Sequence, residues 1–248
     1  MVDLAYTDQK RMSDAFTLIP ARDSNILIIA DHASAYVPSD IDLGIDPVLL
    51  NEHIAVDIGV AEVGRQLCAR TGCGAVLGGL SRLVIDLNRE EDSPGLIPTE
   101  SDGHPIPGNV DPDRHARINR FYRPYHAAVT AALDAMTRPF ILSLHSFTPS
   151  LSSRDEPRPW HVGILYNSDD RAARIAIPML EAAGLNVGDQ LPYSGTILNA
   201  TMNRHAEARS IPYLGVEMRQ DLVSDDRGQA RFADYLAPVM EACRNALA

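Results

Sequence analysis

The sequence predicts an α/β fold: a three-layer sandwich whose central, largely parallel mixed sheet carries helices on both faces. Three observations support this. Short, branched apolar runs alternate along the chain with longer amphipathic ones. The short runs are apolar at successive positions, as strands covered on both sides must be. No half of the chain is all-strand or all-helix, and such alternation is the pattern of a layered, mostly parallel sheet.

Strands are expected over residues 26–30, 75–80, 83–87, 140–144, 162–166 and 213–216. A helix is expected over 54–69, with Ile54, Ile58, Ala61 and Leu67 on roughly one face. In the next helix, Tyr122, Tyr125, Val129, Leu133 and Met136 form one apolar stripe, and Pro124 should kink it or mark its start. Two more helices are expected over 171–183 and 231–248. Residues 90–113 are rich in Gly, Pro and Asp and too long for a simple connection, so they read as a functional loop over a site. Residues 154–159 and 191–195 read as further irregular segments. No internal repeat or linker divides the 248 residues, and one domain over 1–248 is expected.

Hydrophobic residues make up 45% and charged residues 22%, which excludes a disordered or fibrous chain. Lys and Arg number 22 against 33 Asp and Glu, a net charge of −11 that speaks against a general nucleic-acid binder. An acidic small molecule stays possible, because arginines can cluster inside an acidic shell. The three cysteines, Cys68, Cys73 and Cys243, are odd in number and include no CxxC pair, so neither a disulfide framework nor a zinc knuckle is expected. The N-terminal MVDLAYTDQKRM carries acids and no long apolar run, unlike a signal peptide. No stretch approaches the roughly 18 apolar residues of a membrane helix. A soluble cytoplasmic protein is the expectation.

In open α/β sheets, ligands bind beyond the carboxyl ends of the strands. The residues there are Asp31-His32 after the first run, Asp86-Leu87-Asn88-Arg89 at the close of the third, His145-Ser146 after the fourth and Glu217-Met218-Arg219 after the last. A lone His is more often a partly buried structural residue than a ligand, but two at strand ends shift that balance. His32, His145 and a carboxylate with an open fourth position match the catalytic zinc pattern. Asp57, within an apolar turn at a helix start, is the candidate carboxylate; its bland role is to complement the helix dipole. His53 is the rival ligand. Glu217, partly desolvated after a buried strand, can act as general base, or simply pair with Arg219 or Arg89. Asn88 and Arg89 can hold a carboxylate through an amide and a bidentate fork, or form a salt bridge with Asp86 or Glu90. Arg82 and Arg219 are further cations, whereas Arg117, Arg120 and Arg123 read as a solvated helix face. There is no GxGxxG after the first strand, no GxxxxGK[ST], no GxSxG and no HExxH.

These motifs together resemble the N-formylglutamate amidohydrolase family. The marks are DHAS at 31–34, HIAVDIG at 53–59, SRLVIDLNR at 81–89, LHSF at 144–147, RPWHVGILYN at 158–167, PYSG at 192–195 and VEMRQD at 216–221. That family is similar in fold to zinc carboxypeptidases and aspartoacylase-type deacylases. The resemblance implies His32 and His145 as zinc ligands, Asn88 and Arg89 as a carboxylate site and Glu217 as the base. Those relatives carry an acid three residues after the first His; here Ala35 stands there, so Asp57, within a shared motif, takes that place. The implied reaction is hydrolysis of an N-acyl amino acid, most simply N-formyl-L-glutamate, with Arg82 or Arg219 holding a second carboxylate. Two rivals remain: a deacylase or peptidase for another N-acyl substrate, and a non-catalytic binding protein for an acidic metabolite.

Overall fold

The computed structural model of the chain describes residues 10–153 and 157–248. Most of the N-terminal dodecapeptide and part of the irregular segment at 154–159 therefore lie outside the described residues. Among the described residues ten strands are formed: β1 (Lys10–Ser13), β2 (Phe16–Ile19), β3 (Ile26–Ala30), β4 (Gly74–Gly78), β5 (Glu100–Ser101), β6 (His104–Pro105), β7 (Phe140–Phe147), β8 (Val162–Leu165), β9 (Val187–Asp189) and β10 (Tyr213–Arg219). Six α-helices accompany them: α1 (Val60–Thr71), α2 (Arg114–Arg117), α3 (Arg123–Asp134), α4 (Arg171–Ala182), α5 (Ala200–His205) and α6 (Asp226–Leu247). Among the described residues, no helix is long and apolar enough to cross a membrane.

Eight strands make one mixed sheet in the order β1-β2-β4-β3-β7-β10-β8-β9, with β5 and β6 a separate small hairpin. The four central strands β4, β3, β7 and β10 run parallel. β2 and β8 flank them antiparallel. Alternation along each strand sorts side chains into two cores. Ile26, Ile28, Phe140, Leu142, Leu214 and Val216 join Leu67 of α1, Leu180 of α4 and Leu236 of α6 on one face. Leu27, Ile29, Ile141 and Tyr213 join Tyr125, Val129 and Leu133 of α3 on the other. Truncating a fully buried side chain such as Leu67 to Ala would cost about 2–5 kcal/mol.

Two expected elements and the expected exposure of one arginine differ. The helix expected over 54–69 begins only at Val60, because Gly59 has φ 79° and a side chain there would sit 2.1 Å from the Val223 carbonyl. Residues 54–58 form turns, so Asp57 and His53 do not share a helical face. The apolar run 83–87 is buried but is not a strand. Side chains satisfy its carbonyls in place of a ladder: Asn109 donates to Leu83, Arg117 to Val84 and His126 to Leu87. Arg117 is correspondingly buried and bonded to Asn109 Oδ1, not part of a solvated face. Arg120 and Arg123 do sit on the surface, paired with Asp40 and Glu91. Pro124 lies in the first turn of α3, which directly follows the π-helical residues Ile118–Tyr122, so it marks a change of pitch within a continuing helix and not a free helix start.

Candidate metal and substrate site

The site grows out of the central parallel strands. In β7, Phe140, Leu142 and Leu144 enter the core under α1 and α6, so alternation turns Ser143 and His145 to the opposite face. In β10, Leu214, Val216 and Met218 do the same, leaving Gly215 and Glu217 on His145's face. Register pairs Glu217 directly with His145, inside the two strands rather than beyond their ends. His32 follows β3 by two residues, and its carbonyl accepts the Asp57 N–H at 3.0 Å, drawing the 54–58 turn against the strand end.

His32, Asp57 and His145 are buried, and one ligand atom of each lies within 4.8 Å of the others. Asp57 Oδ2 is 3.3 Å from His32 Nδ1 and 2.9 Å from His145 Nδ1. A tetrahedral site with bonds of about 2.0 Å separates its ligand atoms by about 3.3 Å. The second nitrogens are each turned to another carboxylate. His32 Nε2 lies 2.7 Å from Asp86 Oδ1, and His145 Nε2 lies 3.4 Å from Asp31 Oδ2. Asp31 Oδ1 accepts from Tyr125 and Thr201, and Asp86 Oδ2 from Arg82. Carboxylates behind both imidazoles are the arrangement that orients metal-binding histidines. Of the three buried aspartates, Asp57 and Asp86 share Arg82, Asp86 also has Arg89 at 3.9 Å, and Asp31 has no arginine partner among the described residues, a deficit of positive charge that a divalent ion would fill. The donor set, two imidazoles and a carboxylate, fits zinc.

The electrostatics follow from that crowding. Burial pushes Asp57 up, but the charge on His32 and the bonds from both imidazoles outweigh it and hold the carboxyl below its usual range. Burial pulls His145 down, and the carboxylates of Asp31 and Asp57 facing its two nitrogens reverse this, leaving it well above an ordinary imidazole. Glu217 goes the other way. Burial raises it to about 7 against the pull of His145 and with the push of Asp57, and its Oε2 has no hydrogen-bond partner among the described residues.

A cavity of about 470 Å³ opens over this cluster and brings His32, Asp57, His145 and Glu217 together with Arg82, Asn88 and Arg89. Arg219 is not among its walls. One pleat beyond Glu217, its guanidinium is drawn to Asp221 at 2.8 Å and to the Pro159 carbonyl, so the expectation that it reaches substrate is corrected. Arg82 does line the cavity, but Asp86 at 2.8 Å and Asp57 at 3.5 Å already engage it. His53 also lines it, with Nε2 committed to Asp102 at 3.0 Å and not to the aspartate–histidine cluster. Ser101 and Asp102 bring the 90–113 loop to the cavity wall. Two residues that strand-end reading passes over are here as well: Arg158 and Tyr193, the first residue of RPWHVGILYN and the second of PYSG.

Several solved structures are similar to the chain. A gene product of Agrobacterium tumefaciens is 30% identical with a TM-score of 0.86, the match covering 94% of this chain and 95% of that one. The N-formylglutamate amidohydrolase of Ralstonia eutropha is 19% identical with a TM-score of 0.73, covering 94% and 98%, and shares the fold. No curated protein matches. The profile of the N-formylglutamate amidohydrolase family matches residues 24–224, and the chain belongs to that family of amide hydrolases.

Proposed function

We propose that the chain is a metal-dependent hydrolase that cleaves the amide bond of an N-acyl amino acid, with N-formyl-L-glutamate giving formate and L-glutamate. The observation that supports this reading best is the buried His32–Asp57–His145 cluster, each imidazole backed by a second carboxylate, beside the unpartnered Glu217. His32 Nδ1, Asp57 Oδ2 and His145 Nδ1 would hold zinc. Bound there, zinc would lower the pKa of the attacking water to about 7 and polarise the acyl carbonyl. Glu217 takes the proton from that water as its oxygen adds to the carbonyl carbon. It returns the proton to the departing nitrogen as the C–N bond breaks, leaving carboxylate and free amine. Asn88 and Arg89 bind a substrate carboxylate and so fix the amide against Glu217.

The test joins metal analysis of the purified protein to amine release from N-formyl, N-acetyl and longer N-acyl amino acids. Bound zinc and release from N-formyl-L-glutamate are expected. Release from longer acyl groups alone would make the chain a different deacylase. Protein that binds acidic amino acids but gains no activity with zinc, cobalt or nickel would be a binding protein.

A further inference from the structure

A guanidinium stays charged at any pH a protein meets, and burying it without a counter-charge is costly. Arg158 is 6% exposed, yet no carboxylate among the described residues comes within ion-pair distance of it. Glu217, in the same cavity, is not its partner. The other arginines of the cavity differ: Arg82 has Asp86 and Asp57, and Arg89 has Asp86 at 3.9 Å.

Arg158 is nevertheless held in place. Its Nη1 donates to the Thr148 carbonyl at 3.3 Å and to the Tyr193 hydroxyl at 3.0 Å. Its guanidinium lies 5.0 Å from the centre of the Tyr193 ring, a cation–π distance. Because the Tyr193 oxygen accepts from Arg158, its own O–H is left to donate, and no acceptor for it stands among the described residues. A fixed cation with no counter-charge among the described residues and a hydroxyl with a proton to give, on the wall of one cavity, are a receptor for an anion.

We propose that Arg158, with the Tyr193 hydroxyl, receives the second carboxylate of the substrate and sets a preference for N-acyl acidic amino acids, the first carboxylate going to Asn88 and Arg89. This rests on the hydrolase reading for the identity of the substrate, but the carboxylate site can be tested by binding alone.

The probes are glutarate, a five-carbon dicarboxylate without an amide bond, and its monoamide glutaramate, titrated calorimetrically into the purified protein. Wild type should bind glutarate at least about tenfold more tightly than glutaramate, the span of a charged hydrogen bond being roughly 10–100-fold. Arg158→Met should weaken glutarate by that factor and collapse the preference. Arg158→Lys should restore part of it, and Tyr193→Phe should weaken glutarate several-fold. The lysine and phenylalanine variants keep the charge or the ring, so they carry the test if Arg158→Met does not fold. In hydrolysis, the kcat/KM ratio of N-formylglutamate to N-formylglutamine should fall in Arg158→Met by the same order. Equal binding of the two probes by wild type, or a glutarate preference that stays at the wild-type level in Arg158→Met or, should that variant not fold, in both Arg158→Lys and Tyr193→Phe, would overturn the assignment. Expected binding without hydrolysis would leave the carboxylate site standing and overturn only the hydrolase reading.

Discussion

His32 Nε2 stands 2.7 Å from Asp86 Oδ1, and this contact decides what the other side of the ring can do. Burial pushes Asp86 up, but Arg82 and His32 outweigh it and keep it ionised, an acceptor only. The neutral ring must therefore carry its proton on Nε2 and turn the Nδ1 lone pair toward Asp57 Oδ2, 3.3 Å away. Two acceptors facing each other call for a cation or a proton between them. Asp86→Asn keeps an oxygen for the Nε2 proton but removes the charge. Zinc affinity, read by chelator competition, should fall about 10–100-fold with the circular dichroism spectrum unchanged. Wild-type affinity in the variant would mean that the carboxylate serves only the fold.

Glu217 and His145 sit side by side across β10 and β7, but His145 turns Nδ1 to Asp57 while Glu217 Oε2 has no hydrogen-bond partner among the described residues. Glu217→Gln preserves size and removes the base. Activity (kcat) should fall about 10²–10⁴-fold while KM moves little and zinc content stays at wild type. Loss of zinc would make Glu217 a ligand instead.

Much of this arrangement can be read from the sequence because it hangs on parallel strands. The β3 run ends at Ala30 as expected, and His32 after it lines the cavity. Arg158 escapes that reading for a topological reason. β8 runs antiparallel to β10, with Val162 beside Met218, so the residues preceding β8, not those following it, come to the rim of the site. The run 83–87 is apolar enough for a strand, and only distant Asn109, Arg117 and His126 decide that its carbonyls bond elsewhere. Asp57 is legible through its motif but not through a helix, since the left-handed Gly59 starts α1 after it.

Arg89 lines the cavity beside Asn88, whose Oδ1 accepts from the Thr201 N–H at the start of α5. That bond fixes the amide and leaves its NH₂ to donate beside the guanidinium. Arg89→Lys keeps the charge and loses the fork. KM for N-formyl-L-glutamate should rise roughly tenfold, with kcat within about twofold of wild type. An unchanged KM would place the carboxylate away from Arg89.

His126 and His205 form a buried pair behind the site, with His126 Nδ1 2.9 Å from His205 Nε2. His126 Nε2 lies 3.1 Å from the Leu87 carbonyl, which can only accept, so Nε2 carries the His126 proton and Nδ1 accepts from His205. Burial pushes His126 down to about 3 and His205 down to about 4. In the unfolded chain each would protonate near pH 6.5. Between that value and the folded ones the unfolded state binds more protons, so stability is full above about pH 6.5 and drains away as pH falls toward about 4. From pH 7 to pH 5 each histidine removes about 2 kcal/mol. His205→Gln keeps an N–H for His126 Nδ1 and deletes one titration. Urea unfolding at pH 7 and pH 5 should therefore show a loss about 2 kcal/mol smaller in the variant than in wild type. Carboxylates lose stability with acid in both proteins and cancel in the comparison. If the two proteins lose the same amount, the unfolded state gains no extra proton at His205, and its imidazole already takes one up in the folded chain.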